Sequence, residues 1–116
     1  MITASVVQDW MYRGSSYTLV VQILDDGEPY PIPLTYEAVL RLSLSSTYPR
    51  SVVEKAAKFY SHNNGIVHFE FYPTDTRDLL AAAYDLTIHF EDASQVVPVL
   101  KCRFGLVDSN PEVSSK

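Results

Sequence analysis

Tyr84, Leu86, Ile88 and Phe90 are apolar, and Asp85, Thr87, His89 and Glu91 fall between and after them without a break. Successive side chains of a strand point to opposite faces, so a period of two describes a strand with one dry and one wet face. The same period recurs along the chain. Tyr17, Leu19, Val21 and Ile23 share one face, with Thr18 and Gln22 on the other. Ala38, Leu40, Leu42 and Leu44 alternate with Arg41, Ser43 and Ser45, and Val67, Phe69 and Phe71 alternate with His68 and Glu70. Weaker patterns predict further strands at residues 3–8, 52–60 and 96–107. Within the second, Glu54 to Lys58 has helical propensity, but the strands around it favour a short strand or loop. Within the third, Pro98 cannot donate to a ladder, which predicts an edge strand or a bulge.

The punctuation between these stretches is equally informative. Asp25-Asp26-Gly27 is a turn signal, and Pro29, Pro31 and Pro33 predict a stiff, extended loop after it. One helical turn is expected near residues 74–80, with Pro73 before a Thr74 N-cap and Asp75 and Asp78 close to the positive end of the helix dipole. About seven short strands with a turn every ten residues or so is the pattern of an all-β, antiparallel, immunoglobulin-like β-sandwich. The 116 residues fit one domain over 1–107, followed by a polar tail over 108–116.

Composition narrows the function classes. A net charge of −5, with the nine Lys and Arg residues scattered, disfavours nucleic acid and membrane surfaces as partners. The single cysteine, Cys102, permits no intrachain disulfide, so the core alone must hold the fold. No charged region followed by an apolar run opens the sequence, and no stretch approaches the ~18 apolar residues of a membrane helix; neither a signal peptide nor a span is expected.

Catalytic and metal constellations are hard to find. His68 and His89 sit on predicted wet faces that would make a cross-strand ligand pair if their strands were neighbours, with Asp85 or Glu70 adding a carboxylate. Their spacing matches no zinc pattern, and surface histidines explain them as well. Serines occur outside any G-x-S-x-G elbow. Cys102 lies in an apolar strand, as a small hydrophobe does. Asp25-Asp26-Gly27-Glu28 lacks the register of a calcium loop, and no G-x-G phosphate loop is present. No catalytic residue, metal or cofactor is therefore expected. Aromatic, Met and Arg residues together mark protein contacts, which makes Trp10, Met11, Tyr12 and Arg13 candidates for an interface; the competing reading has Trp10 plugging one end of the core. The proline loop adds Pro29, Tyr30 and Pro31. The alternative is a carbohydrate- or ligand-binding module, with Tyr30, Tyr36, Tyr48 or Trp10 stacking on sugars.

Gly14-Ser15-Ser16-Tyr17-Thr18-Leu19, Asp26-Gly27-Glu28-Pro29, the stretch 38–44, and Thr74-Asp75-Thr76 followed by Ala83-Tyr84-Asp85-Leu86-Thr87-Ile88 occur in that order. This order resembles the small β-sandwich proteins and N-terminal domains of tailed-phage baseplate and tail proteins. Ala83 stands where that family has glycine, and Gly105 comes late in the closing strand. The resemblance implies a structural, non-enzymatic virion protein of immunoglobulin-like topology, in the tail, baseplate, neck or capsid surface. Its partners would be other virion proteins, as a homo-oligomer or symmetric assembly, after synthesis in the host cytoplasm.

Overall fold

The computed structural model of the chain describes residues 1–45 and 48–108. Its strands are β1 (Ile2–Val6), β2 (Trp10–Tyr12), β3 (Tyr17–Asp25), β4 (Glu28–Pro29), β5 (Glu37–Ser45), β6 (Tyr48–Ala56), β7 (Phe59–Ser61), β8 (Ile66–Phe71), β9 (Ala83–Glu91) and β10 (Val96–Val107). A 3-10 turn (His62–Asn64) and the helical turn α1 (Pro73–Thr76) complete the elements. Seven strands have five residues or more, and each overlaps one of the seven alternating stretches in the sequence. The expected strand over 52–60 is divided, because β6 stops at Ala56 and β7 begins at Phe59 in the other sheet. Of the polar tail expected over 108–116, Asp108 is described and the rest lies outside the described residues.

The strands form two five-stranded sheets, one ordered β1-β3-β8-β7 with β4 beside β3, the other β2-β10-β9-β5-β6. Among the described residues every pairing is antiparallel except that of β2 with β10. The N-terminal segment thus laces both sheets, running in the first as β1 and crossing to the second as β2. This is an all-β, immunoglobulin-like sandwich.

The inner faces are the dry faces read from the sequence, except that Leu44, near the end of β5, is exposed. Leu19, Val21 and Ile23 from β3, Val67, Phe69 and Phe71 from β8, and Tyr84, Leu86, Ile88 and Phe90 from β9 are buried in one cluster with Leu40, Leu42, Phe104 and Leu106. Tyr17 is half-buried at its margin. Burying a large apolar side chain is worth ~1.5–3 kcal/mol, so these rings and branched chains hold the two layers together. The Tyr84 hydroxyl donates to the Leu80 carbonyl (2.7 Å), which lets a phenol sit in the core with its polar atom paired. Cys102 is half-buried with a free thiol that burial pushes above its ordinary pKa. At Pro98 the ladder slips against β9, the bulge that a missing donor imposes.

Two local readings change. The turn expected at Asp25-Asp26-Gly27 forms, with Asp26 (φ 50°) and Gly27 (φ 87°) at its centre, but Glu28 and Pro29 pair back onto β3, so the proline loop begins only at Tyr30. Both central residues have φ > 0, the geometry that matches strand twist in a tight hairpin. The helical turn starts at Pro73 with Tyr72 as its N-cap, in place of Thr74. Proline at the first helical position loses nothing, since that N–H has no intrahelical partner. The Tyr72 N–H donates to the Asp75 carboxylate (2.7 Å) and the Asp75 N–H to the Tyr72 carbonyl (2.9 Å), closing the turn.

Asp75 also pairs with Lys55 Nζ (2.6 Å), only about a fifth of either side chain being exposed, and Lys55 lies over the Tyr72 ring. Partial burial alone pushes the Asp75 carboxyl up. The bonds from Lys55 and the Tyr72 N–H outweigh it and hold the group below the usual carboxylate range. A carboxyl whose pKa falls on folding stabilises the fold above its unfolded pKa of ~3.9, and the contribution disappears as pH drops through the lower folded value. Urea titrations at a series of acidic pH values should therefore show Asp75→Asn less stable than the parent at neutral pH. The two curves should converge below the ordinary carboxylate range; a constant gap across the series would sink this role for Asp75.

Candidate protein-contact site

In β2 the alternation works on a three-residue scale. Trp10 and Tyr12 point to the outer face of the second sheet and Met11 points into the core, where it is 1% exposed. Met11 is therefore not an interface residue: it plugs the end of the core, the place that the competing reading gave to Trp10. The two aromatic rings remain 38% and 43% exposed and meet edge to face, with centroids 5.1 Å apart.

What lies beside them makes this a site. β2 runs parallel to the end of β10, Trp10 opposite Gly105 and Tyr12 opposite Val107. Gly105 in turn pairs with Ala83 of β9. The row Trp10–Gly105–Ala83 therefore carries one large ring next to two residues with almost no side chain. Ala81 to Ala83 and Gly105 to Asp108 line an open, largely apolar groove of about 440 Å³ there, with Asp108 its one charged residue. Exposed Leu80 lies immediately before this run and exposed Val107 at the groove itself. Contiguous apolar surface flanked by charge is the usual mark of a contact region.

Arg13 fastens the edge of this surface. Its N–H donates to the Val107 carbonyl (2.8 Å), its guanidinium to the Leu79 carbonyl (3.0 Å), and it pairs with Asp108 (2.6 Å). One residue on, the Gly14 N–H donates to Thr76 Oγ1 (2.8 Å), a hydroxyl with no solvent exposure. The turn after β2 is thus clamped to α1 and to the segment leading into β9. The aromatic pair sits on a fixed base.

The proline-loop candidates occupy the other end of the sandwich. Pro29 and Pro31 are exposed, while Tyr30 is half-buried with its ring stacked on Phe90, centroids 6.1 Å apart. Ala83 and Phe90 are seven residues apart on β9, so Trp10 and Tyr30 are separated by about 23 Å of strand. The two groups of candidates do not form one surface. Tyr36 also packs against Phe90 (5.7 Å) and accepts a hydrogen bond at its hydroxyl from Gln95 (2.7 Å). Both tyrosines are half-buried with their rings against Phe90, and the Tyr48 side chain lies outside the described residues.

The histidines are dispersed. His68 is on β8 and His89 on β9, strands of different sheets, so they do not form the cross-strand pair that the sequence allowed. His89 is 8% exposed, covered on the outer face by its neighbours Val39 and Pro98, and is not the solvated residue expected. His68 packs on Phe59, and His62 stacks on Tyr60 with Nδ1 3.0 Å from the Ile32 carbonyl. Among the described residues no group of three or more His, Cys, Asp and Glu is placed to hold a metal ion.

No family model and no curated protein matches this chain in sequence. Among solved structures, it is similar to the endo-beta-1,4-mannanase from Thermotoga petrophila, with a TM-score of 0.55 and 11% identity. That likeness covers 94% of this chain but spans only 20% of the mannanase chain. It is also similar to the Lin-41 filamin domain, with a TM-score of 0.51 and 17% identity over 91% of this chain and 93% of that one. At these identities the likeness concerns fold, and it agrees with the two-sheet topology: the chain adopts an immunoglobulin-like β-sandwich.

Proposed function

We propose that this chain is a non-enzymatic structural component of a tailed-phage virion and works through protein–protein contacts at the Trp10–Tyr12 end of the sandwich. One observation carries the contact role: two exposed aromatic rings held on a clamped turn beside an apolar groove lined by alanines and Gly105. Rigid aromatic anchors next to a pocket are what interface hot spots are made of. The virion assignment rests on the order of motifs from about Gly14 to Val107. The rings stand at 81° to each other, so they offer no flat platform for successive sugar rings, and this favours a protein partner over a glycan.

The test is a mass-spectrometric census of purified particles of the phage whose genome encodes the chain. The protein should be present at a fixed copy number per particle. Trp10→Ala should lower its incorporation by roughly thirtyfold, the effect of losing ~2 kcal/mol at a hot spot. A protein absent from the particles would overturn the reading.

A further inference from the structure

The four sheet edges differ in how well they are closed to further pairing. β2 and β7 have three residues each, β6 contains Pro49, a slipped register and the inward-placed Lys55, while β1 has none of these features. Short length, proline, bulges and inward charges are the devices that stop an edge from accepting another strand. β1 reads Ile-Thr-Ala-Ser-Val: five residues, uncharged, with no proline and no irregularity in its pairing to β3.

The hydrogen-bond parity of β1 can be read at its ends. The Val7 N–H donates to the Val20 carbonyl, and the Asp26 N–H to the Met1 carbonyl. Odd-numbered residues therefore bond to β3, and the N–H and C=O groups of Ile2, Ala4 and Val6 face away from it. Among the described residues no strand pairs with β1 on that side. The same three residues point inward but are only half-buried. β10 runs beside β1 without bonding to it, and its Val97, Val99, Leu100 and Cys102 are half-buried too. The sandwich is open along this flank.

We infer that the occupant of this edge is β1 of a second copy, paired antiparallel about a two-fold axis through Ala4. In that register Ile2 faces Val6 of the other copy, Ala4 faces Ala4, and Thr3 faces Ser5. All the outward-facing N–H and C=O groups belong to even residues, so Ile2–Val6, Ala4–Ala4 and Val6–Ile2 are each hydrogen-bonded pairs. The apolar side chains meet on the core side and the hydroxyls on the solvent side. No charge opposes a like charge, because the strand carries none. A foreign segment would have to reproduce all three matches; a second copy does so by symmetry. The first sheets of the two copies would join into one. This pairing stands on the β1 edge alone and does not depend on the virion reading.

Analytical ultracentrifugation of the purified chain between ~5 and ~500 μM, the range for an interface below standard size, reads the equilibrium directly. About 150 mM salt screens the repulsion between two acidic copies. The parent should form a dimer. Ala4→Pro removes an N–H that β3 does not use, and should leave a folded monomer. Thr3→Lys with Ser5→Lys sets lysine against lysine twice and should weaken association by about tenfold or more. Thr3→Lys with Ser5→Glu sets lysine against glutamate and should restore it. A parent that stays monomeric at the highest concentration overturns the inference. So does a dimer that tolerates both Ala4→Pro and the double lysine variant, and failure of the lysine–glutamate variant to restore association overturns the register. Should Ala4→Pro lose its cooperative melting transition, the two solvent-facing double variants decide.

Discussion

Gly65→Ala is expected to cost the fold ~3 kcal/mol or more, while Gly27→Ala costs ~1 kcal/mol. Both glycines have φ in the left-handed region, 67° and 87°, so alanine meets a similar backbone penalty at either site. Their surroundings differ. A Cβ at Gly27 would touch nothing, whereas one at Gly65 would press on the Ile23 carbonyl oxygen and come within 2.9 Å of the Tyr30 N and O. Those are backbone atoms, and they are committed: the Ile23 N–H donates to the Gly65 carbonyl and the Tyr30 N–H to the Ile23 carbonyl. Making room means breaking the join between the end of β3, the proline loop and the turn before β8. For a chain of this size the melting point should fall by roughly 10 °C or more in Gly65→Ala. Equal losses in the two variants would show that the close approach at Gly65 has no energetic weight.

Within β2 the core and the contact surface separate by a single residue. Met11→Ala should destabilise by ~2–4 kcal/mol, the cost of truncating a fully buried side chain and leaving some of its space empty. Trp10→Ala and Tyr12→Ala, each removing a ring already open to solvent, should each change stability by under ~1 kcal/mol. Chemical denaturation of the three variants measures this. A Trp10→Ala loss as large as that of Met11→Ala would return Trp10 to the core and leave the proposed contact surface without its main anchor.

The fold is largely legible in the sequence because burial on one face leaves a period of two that needs no partner information. Residues 84–91 show it best, and they form the central β9, paired on both sides. The division of 52–60 into two strands is not legible, since Val52, Val53, Phe59 and Tyr60 suit either sheet and only the rest of the fold decides where the chain crosses. At the site, composition alone finds Trp10 and Tyr12. It groups Met11 with them because three residues are too few to reveal which face is dry. The groove escapes a sequence reading, although the run Ala81-Ala82-Ala83 offers a sign: small residues flanking a strand leave space that larger ones would fill. Gly105 gives no such sign, for its meaning depends on lying next to Trp10. The solvated reading of His89 fails for a similar reason, because alternation tells which face a residue occupies and not what its neighbours on that face, Val39 and Pro98, will cover.

The parallel pairing of β2 with β10 has a mechanical consequence. Tension applied along the chain before β2 and after β10 pulls two parallel neighbours in opposite directions along their common axis. The bonds from Gly105 N–H to the Asp9 carbonyl and from Arg13 N–H to the Val107 carbonyl, with the Arg13–Asp108 pair at the same border, are then strained together in shear. An antiparallel hairpin pulled from its open end would lose its bonds singly, like a zip. This arrangement shares the load across the whole contact, so the border that frames the aromatic site resists shear once β1 has come away from β3.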